Sequence, residues 1–359
     1  MIQLKDLCQK ASSNIAQKDL EGHEGQYPIY GASGLIGYVD FYKQENPYVA
    51  VVKDGAGIGR VMCLPEKSSV IGTMQYILPN EGVNVHYLAF AMEHMNLAKY
   101  FSGATIPHIY FKDYGKEKLL ERTEKEQKSI AEILSKMDSL ISLRKQQIAK
   151  LDELVKARFV EMFGDFEFNP KEFPVYHLCE LCDVGSSKRI YQEEQSTSGI
   201  PFLKVADLNE LIDTGKYSCS TFIPLERYEQ LLHKELTPKE NDILITSRGT
   251  LGKCYIVQSD DEFYFQDGMI SWLSNPSPKV SSIYISYLFA QPYIQKQIES
   301  LQAGSTVAYL SIAMLKKMNV ILPPKKLQDD FATFVEHVDQ QKQTVQQSLE
   351  KLKLMKKAL

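Results

Sequence analysis

The chain has 359 residues, of which 44% are hydrophobic and 24% are charged, and its formal net charge is −4. These values are typical of two or three globular domains, and they exclude a uniformly basic nucleic-acid binder, although a local basic face remains compatible with them. The first residues, MIQLKDLCQKASS, lack the pattern of a signal peptide, and no apolar run approaches the ~20 residues that cross a bilayer, so we expect a cytoplasmic protein without a membrane partner.

A run of small apolar residues leads into three glycines in 49-VAVVKDGAGIGRVMCLP-65. A nucleotide-binding glycine loop must open a helix, because the amino terminus of the helix holds the phosphate. This stretch aligns with 243-ILITSRGTLGKCYIV-257, and β-prone residues follow the glycines in both. A strand therefore enters and a strand leaves, which predicts a hairpin with glycines at positive φ and no loop for S-adenosylmethionine or a dinucleotide.

Residues 124–160 contain no Gly or Pro, and apolar side chains recur there at alternating spacings of four and three. This heptad pattern predicts a long helix with one apolar seam. Thr123, with Gln127 close behind it, is expected to cap the helix, and Arg144 interrupts the seam. The predicted seam residues are Ile130, Leu134, Met137, Ile141, Ile148, Leu151 and Val155.

The second half of the chain repeats the order of the first. The segment 103-GATIPHI-109 matches 304-GSTVAYL-310, and the match continues from Gln127 and Gln328 into two helices. Upstream, 4-LKDLCQKASS-13 matches 178-LCELCDVGSS-187, and the second copy carries an insertion around 214–242.

The repeat bears on the six cysteines, whose irregular spacing is typical of free thiols in a reducing compartment. Cys179 and Cys182 form a single C-x-x-C, whereas a structural zinc site needs four ligands. Cys182 aligns with Cys8, which has no second cysteine beside it in the first copy. We therefore expect small buried side chains and no metal.

A second long helix is predicted to start after Pro323 and Pro324, and Lys342 interrupts its heptad seam. Two equal helices that each follow a similar globule favour an antiparallel intramolecular coiled coil with pseudo-twofold symmetry. A homodimeric coiled coil is the alternative. The predicted seam residues are Phe331, Val335, Val338, Val345, Leu349 and Leu352.

Several phrases occur in an informative order: YPIYGASGLIGYVDFY, DGAGIGR, DILITSRGTLGK and QAGSTVAYLSIAMLKKMNVILPP, with an E-Q or Q-D near the start of each helix. In this order they resemble the DNA specificity subunit of type I restriction–modification systems, and the resemblance covers essentially the whole chain. One segment departs from it: FKDYGKEKLLERT precedes the first helix and lacks the proline pair of LKKMNVILPP.

The resemblance implies an α+β fold with two target-recognition domains in tandem repeat, separated by two long helices. It places the first recognition domain at 1–120, the first spacer helix at 121–163, the second domain at 164–323 and the second spacer helix at 324–359. Each domain would read one half of a bipartite, asymmetric site in double-stranded DNA. The helices would set the gap and dock two modification subunits, which would carry S-adenosylmethionine and the adenine methylation chemistry. Restriction (motor) subunits would join for cleavage, and the chain itself would bind no cofactor and catalyse no reaction.

DNA affinity needs Lys and Arg at phosphates, and specificity needs side chains at base edges. Polar and basic loops of both globules are the candidates, whereas the basic tail is interpreted as a solvated helix face or a subunit contact. The predicted DNA-binding residues are Lys53, Arg60, Thr105 and His108 in the first globule, and Ser186, Ser187, Lys188, Arg189, Ser247, Arg248, Thr250, Lys253, Ser305, Thr306 and Tyr309 in the second.

Two other functions are weighed against DNA specificity. A non-catalytic protein-interaction scaffold would use the coiled coil and carry degenerate globules. A stand-alone methyltransferase is disfavoured because cofactor and catalytic motifs are missing, and 46-NPYV-49 lacks the second proline of an N/D-P-P-Y/F motif.

Overall fold

The computed structural model describes residues 1–103, 107–302 and 308–358. The chain divides into two compact units. Unit 1 comprises Met1–Lys145 and Ser348–Leu359, and unit 2 comprises Gln146–Gln347. Each unit therefore contains one globule and part of each long helix, so the units do not coincide with the four consecutive segments expected from the sequence.

Unit 1 is built from one larger and two smaller sheets, with strand orders β2-β8-β5-β6, β4-β3-β7 and β1-β9. Its strands are β1 (Ile2–Gln3), β2 (Cys8–Ser12), β3 (Tyr27–Gly31), β4 (Gly34–Val39), β5 (Tyr48–Val52), β6 (Val61–Leu64), β7 (Ser69–Val70), β8 (Met74–Pro79) and β9 (Lys118–Leu119). Its helices are α1 (Leu4–Leu7), α2 (Val85–His94), α3 (Phe111–Tyr114) and the first part of α4 (Glu124–Phe163).

Strand β5 is buried along its whole length, which explains its continuous apolar sequence. Val49 and Val51 face a cluster that includes Leu88 of α2, whereas Ala50 and Val52 belong to a second cluster on the other face. The strand thus lies at the centre of the unit.

The glycine stretch forms the predicted hairpin. Strand β5 pairs antiparallel with β6, with Val51 opposite Val61. Gly55, Gly57 and Gly59 have φ values of 79°, 84° and 81°, which suit glycine. The interpretation of this stretch as a strand–turn–strand element is therefore confirmed.

Unit 2 repeats the three sheets of unit 1, with orders β11-β17-β14-β15, β13-β12-β16 and β10-β18. The internal repeat is therefore confirmed at the level of topology, and along the chain α5 precedes β13 and α6 follows it. The strands are β10 (Val175–His177), β11 (Asp183–Gly185), β12 (Ile200–Leu203), β13 (Phe222–Ile223), β14 (Ile243–Thr246), β15 (Cys254–Ile256), β16 (Tyr264–Phe265), β17 (Ile270–Ser274) and β18 (Asn319–Ile321). The helices are α5 (Val205–Thr214), α6 (Leu225–Leu232), α7 (Ser282–Phe289), α8 (Pro292–Gln302), α9 (Ile312–Lys316) and part of α10 (Lys325–Ala358).

The long helices α4 and α10 pair antiparallel within the chain. In unit 2, the ring of Phe331 lies 5.4 Å from that of Phe159, near the end of α4. Farther along α10, Lys342 Nζ lies 2.6 Å from Asp152 Oδ1, which is earlier in α4. Val155 of α4 joins Phe331 in the main hydrophobic cluster of unit 2. The intramolecular pairing is confirmed.

In unit 1, the last turns of α10 contact both α2 and α4. Lys356 Nζ lies 2.7 Å from Asp138 Oδ1, 3.5 Å from Glu93 Oε2, and 5.3 Å from the centroid of the Phe90 ring. Leu349 of α10 is buried. Every predicted seam residue, in either unit, is buried or half-buried.

Thr123 caps α4 as predicted, but its partner is not Gln127. The Thr123 backbone N–H donates to Glu126 Oε2 at 2.8 Å, and the Glu126 N–H donates to Thr123 Oγ1 at 3.3 Å. Position three after the cap is where a capping box places its acid, so Glu126 takes this role and Gln127 turns toward the globule.

Gln127 and its repeat partner Gln328 instead fasten the long helices to their globules. The Gln127 side-chain oxygen accepts from the N–H of Asn84, the cap of α2, at 3.0 Å. The Gln328 oxygen accepts from the N–H of Ser281, the cap of α7, at 2.9 Å. The two glutamines are only 4% and 0% exposed, so the repeated residue has a structural role.

Candidate DNA interface

The hydroxyl groups of the repeated serines, Ser13 and Ser187, form hydrogen bonds within their own units. Ser187 Oγ donates to Phe265 O at 2.6 Å, and Ser13 Oγ donates to Val70 O at 2.5 Å in the matching place of unit 1. Ser186 Oγ donates to the Ile270 carbonyl at 3.0 Å. The Ser186 and Ser187 hydroxyls, both predicted to bind DNA, are therefore used inside unit 2.

Corner 1 is the group Lys53, Asp54 and His108, where the chain leaves β5 in unit 1. The Lys53 N–H donates to Thr73 O at 3.0 Å, and its carbonyl accepts from the Ile109 N–H at 3.0 Å. The Asp54 carboxylate lies 2.8 Å from Lys53 Nζ and in direct contact with His108 Nδ1. Both predicted side chains, Lys53 and His108, therefore share one carboxylate.

Corner 2 is the group Ser247, Arg248 and Tyr309, where the chain leaves β14 in unit 2. The Ser247 N–H donates to Met269 O at 2.9 Å, and its carbonyl accepts from the Leu310 N–H at 3.0 Å. Arg248 is exposed, and its guanidinium carbon lies 5.0 Å from the centroid of the Tyr309 ring. Ser247 itself is buried, at 1% exposure, so its hydroxyl belongs to the support of this corner.

The two corners occupy the same place in the repeated fold. Lys53 and Ser247 make the same pair of backbone hydrogen bonds, so the next residues, Asp54 and Arg248, are equivalent. Asp54 forms an isolated backbone bridge with His108, and Arg248 forms one with Tyr309. One backbone position therefore carries a carboxylate in unit 1 and a guanidinium in unit 2.

Three other predicted basic side chains already have partners in their own unit. Arg60 donates to a backbone carbonyl of unit 1 at 2.6 Å. In unit 2, Arg189 Nε lies 2.8 Å from Asp267 Oδ2, and Lys253 Nζ lies 2.6 Å from Asp213 Oδ1. Any DNA contact by these groups would have to compete with those interactions.

Lys188 and Thr250 are exposed on loops of unit 2. The predicted residues Thr105, Ser305 and Thr306 lie outside the described part of the chain. The structure therefore brings Lys53 and His108 together at corner 1, and Ser247, Arg248 and Tyr309 together at corner 2.

Sequence reasoning missed Asp54 and an aromatic group beside corner 1. The Tyr110 ring lies 4.3 Å from the His108 ring, and Lys112 Nζ lies 5.0 Å from the Tyr110 ring centroid. Phe101 and Tyr110 are 61% and 46% exposed. The mixed aromatic and basic run 108-HIYFK-112 is the signal that could have identified this group.

The cysteines behave as structural residues. Cys8 Sγ donates to Leu4 O at 3.2 Å, and Cys182 Sγ donates to Leu178 O at 3.6 Å, as their alignment suggests. Burial raises the pKa of Cys8 and of Cys182 to about 12. Within residues 1–103, 107–302 and 308–358, no three His, Cys, Asp or Glu side chains are grouped to hold a metal ion.

No helix in the described ranges is both long enough and apolar enough to cross a membrane.

The chain is a tandem-repeat protein with two repeated α+β globules, two long antiparallel helices, and polar loops at matching corners. The family model of the "Type I restriction modification DNA specificity domain" matches residues 1–153 and 170–354, and the chain belongs to that family. Members of this family are non-catalytic specificity subunits of restriction–modification complexes, and their domain implies DNA recognition.

Named relatives agree with this assignment. A putative type I restriction enzyme specificity subunit of Haemophilus influenzae is 25% identical over 85% of this chain and 78% of its own length. The MjaVIII specificity subunit of Methanocaldococcus jannaschii is 25% identical over 94% of this chain and 84% of its own.

Solved structures show the same fold. The S subunit of a type I system from M. genitalium has a TM-score of 0.64 at 17% identity, covering 99% of this chain and 93% of that one. A chain from a study of complex assembly and conformational transition in a type I system has a TM-score of 0.56 at 14% identity, covering 99% and 95%.

Proposed function

We propose that each unit reads one half of a bipartite, asymmetric DNA site. The observation that carries this proposal is the opposite charge of Asp54 and Arg248 at one repeated backbone position. Two identical readers would recognise a palindrome, as symmetric repressors do. Readers that share a skeleton and differ in the charge at this corner would recognise two different half-sites.

The paired helices set the gap between the half-sites and dock two modification subunits in this proposal. Exposed apolar side chains on α4 support docking: Ile133 and Leu140 in unit 1 are each 44% exposed, and Leu154 and Val160 in unit 2 are 47% and 50% exposed. S-adenosylmethionine belongs to the modification subunits, and motor subunits add cleavage.

A domain exchange tests independent reading. Residues 1–120 are replaced by the corresponding domain of another family member, and methylation of host DNA is mapped with the modification subunit present. We expect one half of the site to change while the other half and the gap persist. Exchange of 164–323 is the matched control and should change the other half. A simultaneous change of both halves in either exchange would contradict independent reading.

A length change tests the role of the helices. One extra heptad after Ile141 and another after Lys342 preserves the seam and adds about 10 Å to each helix. DNA rises ~3.4 Å per base pair, so we expect the gap to grow by about one to three base pairs with both half-sites unchanged. An active complex with the original gap would refute this role.

A gel-shift assay distinguishes the two candidate functions, a protein-interaction scaffold and a DNA-reading subunit. The chain with its modification subunit should retard duplexes that contain the mapped site in preference to scrambled duplexes. Equal retardation of both would favour the scaffold.

A further inference from the structure

We propose that Arg248 determines specificity in unit 2 and reads a guanine in the major groove of its half-site. This inference rests on the proposed function, because it assumes that unit 2 contacts DNA through corner 2. It goes further in naming one residue and one base.

The geometry of Arg248 suits a base more than a phosphate. Its guanidinium is 5.0 Å from the Tyr309 ring centroid, and the backbones of the two residues are bridged. A guanidinium that lies over an aromatic ring in a cation–π contact keeps N–H donors for another partner. Those donors match the O6 and N7 acceptors of guanine in a bidentate contact.

Hydrogen bonds among buried residues hold the backbone beneath Arg248. Ser247 Oγ lies 2.7 Å from Ser271 Oγ, and both residues are buried. The Thr246 hydroxyl donates to the Thr250 carbonyl, and Thr246 Oγ1 accepts from the Lys253 N–H at 3.0 Å. A side chain held on such a support loses little freedom on binding, which is what discrimination between bases requires.

Arg248 also differs from the other basic candidates of unit 2. Arg189 and Lys253 are paired with Asp267 and Asp213. In the described part of the chain, no carboxylate lies within ion-pair distance of Arg248. Its charge is therefore available to a ligand at no cost in broken ion pairs.

Unit 1 supplies the internal contrast. Asp54 occupies the same backbone position, but its carboxylate is held by Lys53 and His108 and has no donor to offer the two acceptors that guanine presents. Reading of guanine at this position therefore belongs to unit 2 alone, and loss of Arg248 should leave the half-site of unit 1 intact.

The test uses the full chain assembled with its modification subunit and a library of duplexes randomised in both half-sites. Bound duplexes are sequenced. We expect Arg248→Ala to reduce discrimination for guanine at one position of one half-site by about 5- to 150-fold. Arg248→Gln should shift that position toward adenine, because Gln pairs with adenine N6 and N7. Arg227→Gln is the matched control: Arg227 is another arginine of unit 2, it is paired with Glu194 and lies outside the candidate interface, and its loss should leave base preference unchanged.

Other outcomes would overturn the inference. Uniform weakening on all sequences, with the salt slope reduced by about one, would make Arg248 a phosphate contact. Unchanged preference in Arg248→Ala, or relaxation at a base other than guanine, would also refute it. A wild-type complex without any sequence preference would refute the proposed function itself, which distinguishes the two failures. Fluorescence of Trp272, the single tryptophan, checks that each variant keeps unit 2 folded.

Discussion

Gln127 and Gln328 make matching contacts in unit 1 and unit 2, whereas Asp54 and Arg248 share a backbone position and carry opposite charges. The glutamines are buried and fasten a helix to a globule. The corner residues lie where the strand ends and the surface begins. Repetition therefore marks residues that support the fold, and divergence at an equivalent corner position marks a candidate for specificity.

The units also differ in one part of their cores. In unit 1, the rings of Tyr48 and Tyr76 lie 5.1 Å apart. In the matching place of unit 2, Trp272 Nε1 donates to Asp242 Oδ2 at 2.8 Å. An aromatic pair in one unit is thus replaced by a buried carboxylate and an indole in the other, which gives only unit 2 a carboxyl group there.

Substitution of the hairpin glycines Gly59 and Gly252 should change the free energy of unfolding most. A Cβ on Gly59 would lie 2.4 Å from the backbone nitrogen of Ala98, whereas a Cβ on Gly252 would meet the flexible end of Ile298 at 2.7 Å. Both glycines have positive φ. We expect Gly59→Ala to lower the free energy of unfolding of unit 1 by about 4 kcal/mol, and Gly252→Ala that of unit 2 by about 2 kcal/mol.

Hydrogen exchange measured by mass spectrometry separates the two units in these variants. Gly55→Ala is the control, because its φ is +79° and nothing lies within 4 Å of the added Cβ. It should cost about 1 kcal/mol from backbone strain alone. Equal losses at Gly59 and Gly55 would show that the close approach of Ala98 does not matter.

The buried glutamines come next. The Gln328 side chain makes three hydrogen bonds, to Ser281 N, Lys279 O and Pro323 O, at 2.9, 3.0 and 2.7 Å. Gln127 bonds Asn84 N and the Arg122 carbonyl. Replacement by Leu removes these partners from backbone groups that are buried or partly buried. We expect losses in unfolding free energy of about 3 kcal/mol for Gln328→Leu and about 2 kcal/mol for Gln127→Leu in urea titrations.

The exposed Gln340 of α10 is the control for both variants. Gln340→Leu should change the unfolding free energy by less than about 0.5 kcal/mol. A loss at Gln328 no greater than at Gln340 would mean that the repeated glutamine does not fasten α10 to the globule.

The dependence of the unfolding free energy on pH is expected to be a smaller effect. Burial raises the pKa of Asp242 above its ordinary value of 3.8, against the opposing hydrogen bonds from Lys239 and Trp272. The folded state therefore keeps this proton to higher pH than the unfolded state. The unfolding free energy of unit 2 should fall as pH rises from the unfolded pKa through the folded one.

Trp272 fluorescence measures this fall directly in urea titrations at several pH values. Burial also raises the pKa of Asp339 in unit 2, so the difference between wild type and Asp242→Asn isolates Asp242. The same pH dependence in both proteins would rule out Asp242 as its source.

The smallest effects are expected at the ion pairs of the long helices. Lys342 and Lys356 are 31% and 25% exposed at the side chain, and partly exposed pairs contribute little. Each substitution by Ala should cost about 1 kcal/mol or less in unfolding free energy. In 1 M salt the Lys342 effect should shrink more, because Lys356 also covers the Phe90 ring. Equal shrinkage would argue against the ring contact.

The hairpins and long helices were predictable because short-range patterns determine them. The equivalence of the two corners was not predictable in this way. When the two sequences are aligned on Gly59 and Gly252, Asp54 corresponds to Ser247. When the strands are superposed by their register, Asp54 corresponds to Arg248. The two results differ because the loop of unit 1 is one residue longer. The roles of the repeated serines were also missed, since a polar residue in a loop gives no sign of whether it faces inward. Only the sheet partners of a loop reveal that direction.

The place of residues 348–359 in unit 1 has a consequence for synthesis on the ribosome. Translation adds about 5–20 residues per second and exposes earlier segments first. When residue 347 has been added, all of unit 2 has been synthesised, although unit 1 began earlier. Until the last turns of α10 follow, Asp138 and Phe90 lack their contacts with Lys356. The part translated first is therefore the last to be completed, so its nascent chain depends longest on protection from aggregation.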